Sequence, residues 1–204
     1  MKCRLLLAFL TLSGCGVLAP FAGPPPGQLV PVTELQPLAA PPSGAALWAE
    51  IGPDAGRARL VRQEQERRIW RLDTGFVFVT EGARVIATAG LETTLLATHF
   101  LGEDPLRGTQ ALGPAPLLLA RSFDTASADG KPEDMRFGQL VQCRLEPPED
   151  ALDGLLERTE ICEGAAYFIN RFWFRASDGA LVRSEQWIGR RVPPLRLEVA
   201  VMAP

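Results

Sequence analysis

Four cysteines, one histidine, a few neighbouring carboxylates and four tryptophans are the residues of this 204-residue chain that could carry chemistry or recognition. The cysteines divide by position. Cys15 closes the run Leu12-Ser13-Gly14-Cys15, behind the basic Lys2 and Arg4 and an apolar stretch over residues 5–10. A basic front, a short apolar core and small residues before a cleavage point make a secretory signal. A cysteine directly after Leu-Ser-Gly makes it a bacterial lipoprotein signal: the Cys15 thiol accepts a diacylglycerol, and cleavage leaves Cys15 as the new N-terminus. The apolar run is well short of the roughly 20 residues that a spanning helix needs. Cys3 leaves with the signal.

Cys143 and Cys162 remain, in a compartment that permits disulfides. Both lie in strand-like sequence flanking a Pro/Asp/Gly-rich connection, which predicts a bridge across neighbouring strands; the alternative is two separately buried thiols. Closing a loop of that size stabilises by about 3 kcal/mol in the chain-entropy model. No metal site is expected, because two cysteines and one distant histidine do not complete a tetrahedral zinc shell without carboxylates. No cofactor is implied either.

Nucleophilic catalysis needs a base beside the nucleophile. His99 is the lone histidine, and no serine with elbow-like glycines stands out to partner it, so it reads as structural or partly exposed. Glycoside chemistry needs two carboxylates across a cleft. Glu103/Asp104 and Glu133/Asp134 offer carboxylates, but in Gly/Pro-containing loops where such groups are usually solvated. The chain therefore reads as a non-enzyme, with no catalytic residues. Sugar rings stack on aromatic faces beside polar and arginine groups. Trp70, Trp173 and Trp187, with Arg71, Arg171 and Arg183 as neighbours, are the candidate glycan contacts, against a reading in which the tryptophans are core or barrel-end plugs. Trp187, near a strand end, is the one expected to be partly exposed.

These residues need elements to hold them. The net charge is −3, and about −5 once Lys2 and Arg4 are removed; no basic face suggests nucleic acid. Residues 1–14 are the signal. Residues 15–45 form a lipidated Pro/Gly-rich tether, whose prolines favour an extended, semi-rigid spacer. Within it, Leu29-Val30-Pro31-Val32-Thr33-Glu34-Leu35 is apolar enough to pack on a domain. Residues 46–204 are the domain.

There the pattern is β. Ile69-Trp70-Arg71-Leu72, the turn Asp73-Thr74-Gly75, Phe76 to Thr80, the turn Glu81-Gly82-Ala83 and Arg84 to Thr88 read as an antiparallel meander. Residues 117–123, 136–145, 158–162, 166–175 and 180–188 are further strands. Residues 195–199 alternate strictly, with Leu195, Leu197 and Val199 on the buried face. Residues 150–160 carry Leu152, Leu155 and Leu156 at helical spacing and predict one short helix, weakened by Gly154. Trp70 to Val77 and Trp173 to Val182 share a tryptophan followed by an Asp/Gly turn, the pattern of a weak internal duplication. The expected class is all-β, a mostly antiparallel barrel or sandwich.

The order of these pieces resembles the YjbF/GfcB family of outer-membrane lipoproteins. The resemblance rests on Trp70 with Asp73 and Gly75, on Phe76-Val77-Phe78-Val79-Thr80 and Arg84-Val85-Ile86-Ala87-Thr88-Ala89-Gly90-Leu91, and on Asp104-Pro105-Leu106. Near the C-terminus it adds Asn170-Arg171-Phe172-Trp173, Asp178-Gly179, Val182-Arg183-Ser184, Gln186-Trp187-Ile188-Gly189 and Pro193-Pro194-Leu195. It implies a β-barrel-like domain and a role in production or export of a capsule or extracellular polysaccharide. It also implies partners: an outer-membrane channel, other periplasmic export and assembly proteins, and the polysaccharide itself. An aspartate after the lipidated cysteine retains enterobacterial lipoproteins in the inner membrane; Gly16 in its place points to the outer membrane, with the domain facing the periplasm. The alternative is a periplasmic binding module whose barrel mouth holds a lipid or glycan.

Overall fold

A computed structural model describes residues 46–107, 111–151 and 154–200. The expected signal, Cys15 and the tether lie outside the described residues. The chain forms thirteen strands: β1 Ala46–Ile51, β2 Asp54–Glu64, β3 Arg67–Arg71, β4 Val77–Glu81, β5 Arg84–Ala89, β6 Thr93–Phe100, β7 Leu117–Ser127, β8 Arg136–Leu145, β9 Glu149–Asp150, β10 Leu155–Gly164, β11 Phe168–Arg175, β12 Leu181–Gln186 and β13 Leu195–Ala200. Among the described residues there is no α-helix, only short 3-10 turns such as Pro132–Asp134.

Every pairing is antiparallel, in the order β5-β4-β3-β2-β1-β13-β12-β11-β10-β8-β7-β6, with β9 beside β10. The two ends of that path, β5 and β6, are consecutive in sequence, and the Leu95 N–H donates to Thr88 Oγ1 across them at 3.0 Å. One sheet thus curls into a nearly closed barrel, and this settles barrel against sandwich.

Short-range pattern explains most strands. At the expected turn before Arg84, Gly82 sits at φ +58, a left-handed conformation that glycine reaches without a Cβ clash. In β13 Leu195 and Leu197 are buried and Arg196 and Glu198 exposed, as alternation requires. The helix expected over residues 150–160 is not formed. Asp150 ends β9 and residues 155–164 are β10, in which Arg158, Glu160 and Cys162 turn inward on alternate positions. The Leu155/Leu156 spacing was coincident with a strand whose inner face is polar. Two apolar clusters fill the interior. One gathers Leu119, Phe123, Val141, Leu145, Phe168 and Phe172. The other gathers Ala49, Leu72, Phe78, Ile188 and Leu195.

Candidate functional site

The waist of the barrel holds buried charge. Arg84 on β5 is 1% exposed; a register shift between Val79 and Thr80 in the neighbouring ladder accompanies the burial of both Arg84 and Val85. Arg84 Nη1 donates to Glu160 Oε1 at 2.7 Å, and its Nη2 donates to Asp104 Oδ1 at 3.0 Å. Glu160 Oε2 accepts from Asn170 at 2.6 Å and from Arg121 Nη2 at 3.2 Å. Arg84 lies over the Phe172 ring at 5.0 Å and Arg121 over Phe168 at 5.1 Å.

Burial alone would raise the Glu160 carboxyl, but the Arg84 and Arg121 guanidiniums outweigh it and hold the group below the usual glutamate range. Burial acts against the charge on Arg84 too, yet Glu160 and Asp104 together push its pKa up. Arg121, with a smaller share of Glu160, is left lowered by burial. The expectation that Asp104 would be solvated is corrected here: it is 7% exposed and half of an ion pair. Arg158 is fully buried, and among the described residues no carboxylate lies at hydrogen-bond distance from it. It donates to the carbonyls of Ala111, Gly113, Ala115, Leu145 and Glu146, which clamps the loop before β7 against β8 and β10.

Beside this network Cys143 and Cys162 face each other in the β8–β10 ladder, Cα atoms 4.0 Å apart, joined as a disulfide. Their sulfurs lie close to the Glu160 carboxylate, but the two thiols are spent on each other rather than offered to an ion.

Above the waist the barrel opens. A cavity of about 790 Å³ lies between β1, β2, β3, β11, β12, β13 and the loop carrying Leu106, Ala111 and Leu112. Leu47, Leu60, Phe174, Leu181, Leu197 and Val199 give it hydrocarbon walls, with Trp70, Thr80 and Ser184 among them. Arg68, Gln63, Asp178 and Arg183 also border it. Leu106 links mouth and waist: its side chain lines the cavity while its backbone N–H donates to Asp104 Oδ1 at 3.1 Å.

The candidate glycan residues scatter. Trp70 is on the inner face, stacked 6.5 Å from Phe78, with its indole N–H on Thr80 Oγ1 at 2.9 Å. Trp173 is on the outer face, donating to Glu157 at 3.0 Å with the Arg183 guanidinium 5.8 Å from its ring. The two similar Trp-Asp-Gly segments therefore put their tryptophans on opposite faces. Trp187, half-buried, stacks on Phe168 at 4.4 Å and meets Phe123 edge-on, the packing of a plug. Arg71 is half-buried in β3, and Arg171 pairs with Glu185 on the outside.

Only Trp70 and Arg183 border the mouth. Trp48, which sequence reasoning passed over, is 47% exposed and shares an outer row with Glu198 and Arg57. His99 stands opposite Ser122 on β7, 62% exposed, its Nε2 3.9 Å from Asp124; among the described residues no hydrogen bond joins it to Ser122. Glu133 and Asp134 are exposed in the 3-10 turn.

Fold and site together define an antiparallel β-barrel domain with a charge-locked waist and one open, apolar end. The chain belongs to the YjbF family, described as group 4 capsule polysaccharide lipoprotein gfcB, YjbF, whose sequence profile matches residues 44–199. The hypothetical lipoprotein YmcC of Escherichia coli K12 has a similar solved structure. The TM-score is 0.64 at 19% identity, over 80% of this chain and 86% of that one. No curated protein matches the chain significantly by sequence.

The waist follows from two stretches that were visible as separate motifs, Arg84-Val85-Ile86 and Asp104-Pro105-Leu106. Nothing in the sequence paired Arg84 with Asp104 or with Glu160, which lies 76 residues away.

Proposed function

We propose that the protein is a lipid-anchored, non-enzymatic accessory in capsule or extracellular polysaccharide production or export at the outer membrane. Membership of a capsule-lipoprotein family across the whole barrel, residues 44–199, carries this reading. The lipoprotein signal at Cys15 supplies the anchor: a mature lipoprotein carries at least two acyl chains, enough for stable attachment where a single chain binds marginally. The tether lets the barrel stand off the bilayer and face export and assembly partners in the periplasm. The distribution of polar groups supports a non-catalytic role. The buried carboxylates Asp104 and Glu160 are both committed to arginines, and the exposed His99 lies on an outer strand face.

A strain deleted for the gene, complemented with wild type or with Cys15→Ala, tests the reading. Loss of surface polymer restored only by the lipidated form is the expected result, and unchanged polymer in the deletion strain would overturn it. A second reading, a binding module for a lipid or glycan, is favoured by one observation, the open cavity at the mouth.

A further inference from the structure

The mouth permits a sharper statement, which rests on the second reading above. Its inner polar groups are already engaged: Trp70 Nε1 donates to Thr80, and Ser184 Oγ accepts from Gln186 at 3.0 Å. A sugar ring drawn inside would leave hydroxyls unpartnered, each lowering affinity by roughly tenfold. The walls offer hydrocarbon instead, from Leu47, Leu60, Phe174, Leu181, Leu197 and Val199, and the volume falls in the range of small-molecule sites.

Charge at the opening is uneven. Arg183 has Glu198 at 3.4 Å, and Asp178 has Arg175 at 2.6 Å. Arg68 pairs with Thr80 in the β3–β4 register and so shares the inner face with Trp70. It is half-buried and meets Gln63 at 3.5 Å; no ion pair involves it among the described residues. A half-buried, unneutralised guanidinium favours an anion beside it.

We propose that the barrel mouth binds the hydrocarbon tail of an anionic amphiphile, the tail against the leucines and the acidic head at Arg68. β1 begins at Ala46, and Leu47 lines the cavity, so the first described strand starts at the cavity's rim.

The test uses the mature chain from residue 15 with Cys15→Ala, which carries no lipid of its own, and a diazirine-bearing palmitic acid as probe. Photolabelling mapped by mass spectrometry is expected to saturate and to fall on peptides containing Leu60, Leu181 and Leu197. Leu60→Trp and Val199→Trp, each filling the cavity from a different strand, should weaken labelling by roughly tenfold or more. Arg68→Gln should weaken labelling by the acid and leave labelling by the matching alcohol unchanged.

Labelling spread over the outer surface, or indifferent to both tryptophan variants in proteins that melt as the parent does, would overturn the proposal. So would displacement of the probe by an acidic oligosaccharide. The same labelling in the lipidated protein in vesicles identifies a free amphiphile as the occupant. Its disappearance there would overturn that source in favour of the protein's own anchor. Failure here leaves the polymer phenotype of the deletion strain untouched, so the two readings fail separately.

Discussion

Waist and mouth belong to one sheet, are built by largely different strands and treat polarity in opposite ways. At the waist, β5, β7 and β10 turn Arg84, Arg121 and Glu160 inward, and the ions neutralise one another with Asn170 and Asp104 completing the set. At the mouth, β1, β2, β12 and β13 turn leucine and valine toward open space. The difference teaches which end can change its contents. Removing one member of a buried ion set strands the others, whereas an apolar opening gains by any hydrocarbon that displaces its water.

That contrast orders the expected effects of substitution. Glu160→Gln should be the most damaging, about 3–5 kcal/mol by chemical denaturation, because it leaves Arg121 buried without a carboxylate and Arg84 with Asp104 alone. A loss under about 1 kcal/mol would mean that the waist is wet or adaptable, and the contrast would collapse. The same group sets an acid limit. Its carboxyl is held below the ordinary glutamate value of about 4.5 in the folded protein, so the unfolded chain takes up the proton first. The stabilisation is complete above that value and drains away as pH falls toward the lower folded pKa. Thermal melts between neutral and acid pH should show this decline in the parent and a flatter one in Glu160→Gln.

Replacing both Cys143 and Cys162 by alanine should lower stability by about 3 kcal/mol, and thiol reagents should label the parent only after reduction. Leu60→Trp at the mouth should stay within about 1 kcal/mol of the parent, since it fills open space rather than a packed core. Arg196→Ala, in the exposed ladder with Glu185 and Glu50, should be the smallest change of all; a larger effect there than at Leu60 would move the organising charges from the waist to the outer surface.

The parts legible in the sequence are those governed by neighbours. Period-two alternation marked residues 195–199, and the Asp/Gly turns marked the meander from Ile69 to Thr88, because a strand's face assignment needs only adjacent residues. The cysteines could be placed on neighbouring strands because a single Pro/Asp/Gly-rich connection separates them. The waist was not legible, because Arg84 and Glu160 are 76 residues apart and no local pattern pairs them. β10 was legible only over residues 158–162, and its start was misread for a related reason. Its inward residues include a charged pair, Arg158 and Glu160, so the polarity rule that identifies strands runs backwards there and the leucines at 152, 155 and 156 suggested a helix. The tryptophans could be named but not assigned to a face, since Trp70 and Trp173 sit in like sequences and point to opposite sides of one sheet.

The position of β1 has a mechanical consequence. Residue 46, the first described residue of the barrel, begins a strand hydrogen-bonded on both sides, to β2 and to β13. Tension along the tether would load both ladders in shear along their length, and all their hydrogen bonds would resist together. A tether attached to an edge strand would instead be peeled away bond by bond. If the chain is anchored at Cys15 as proposed, the strand that takes the load is one that two neighbours hold in place.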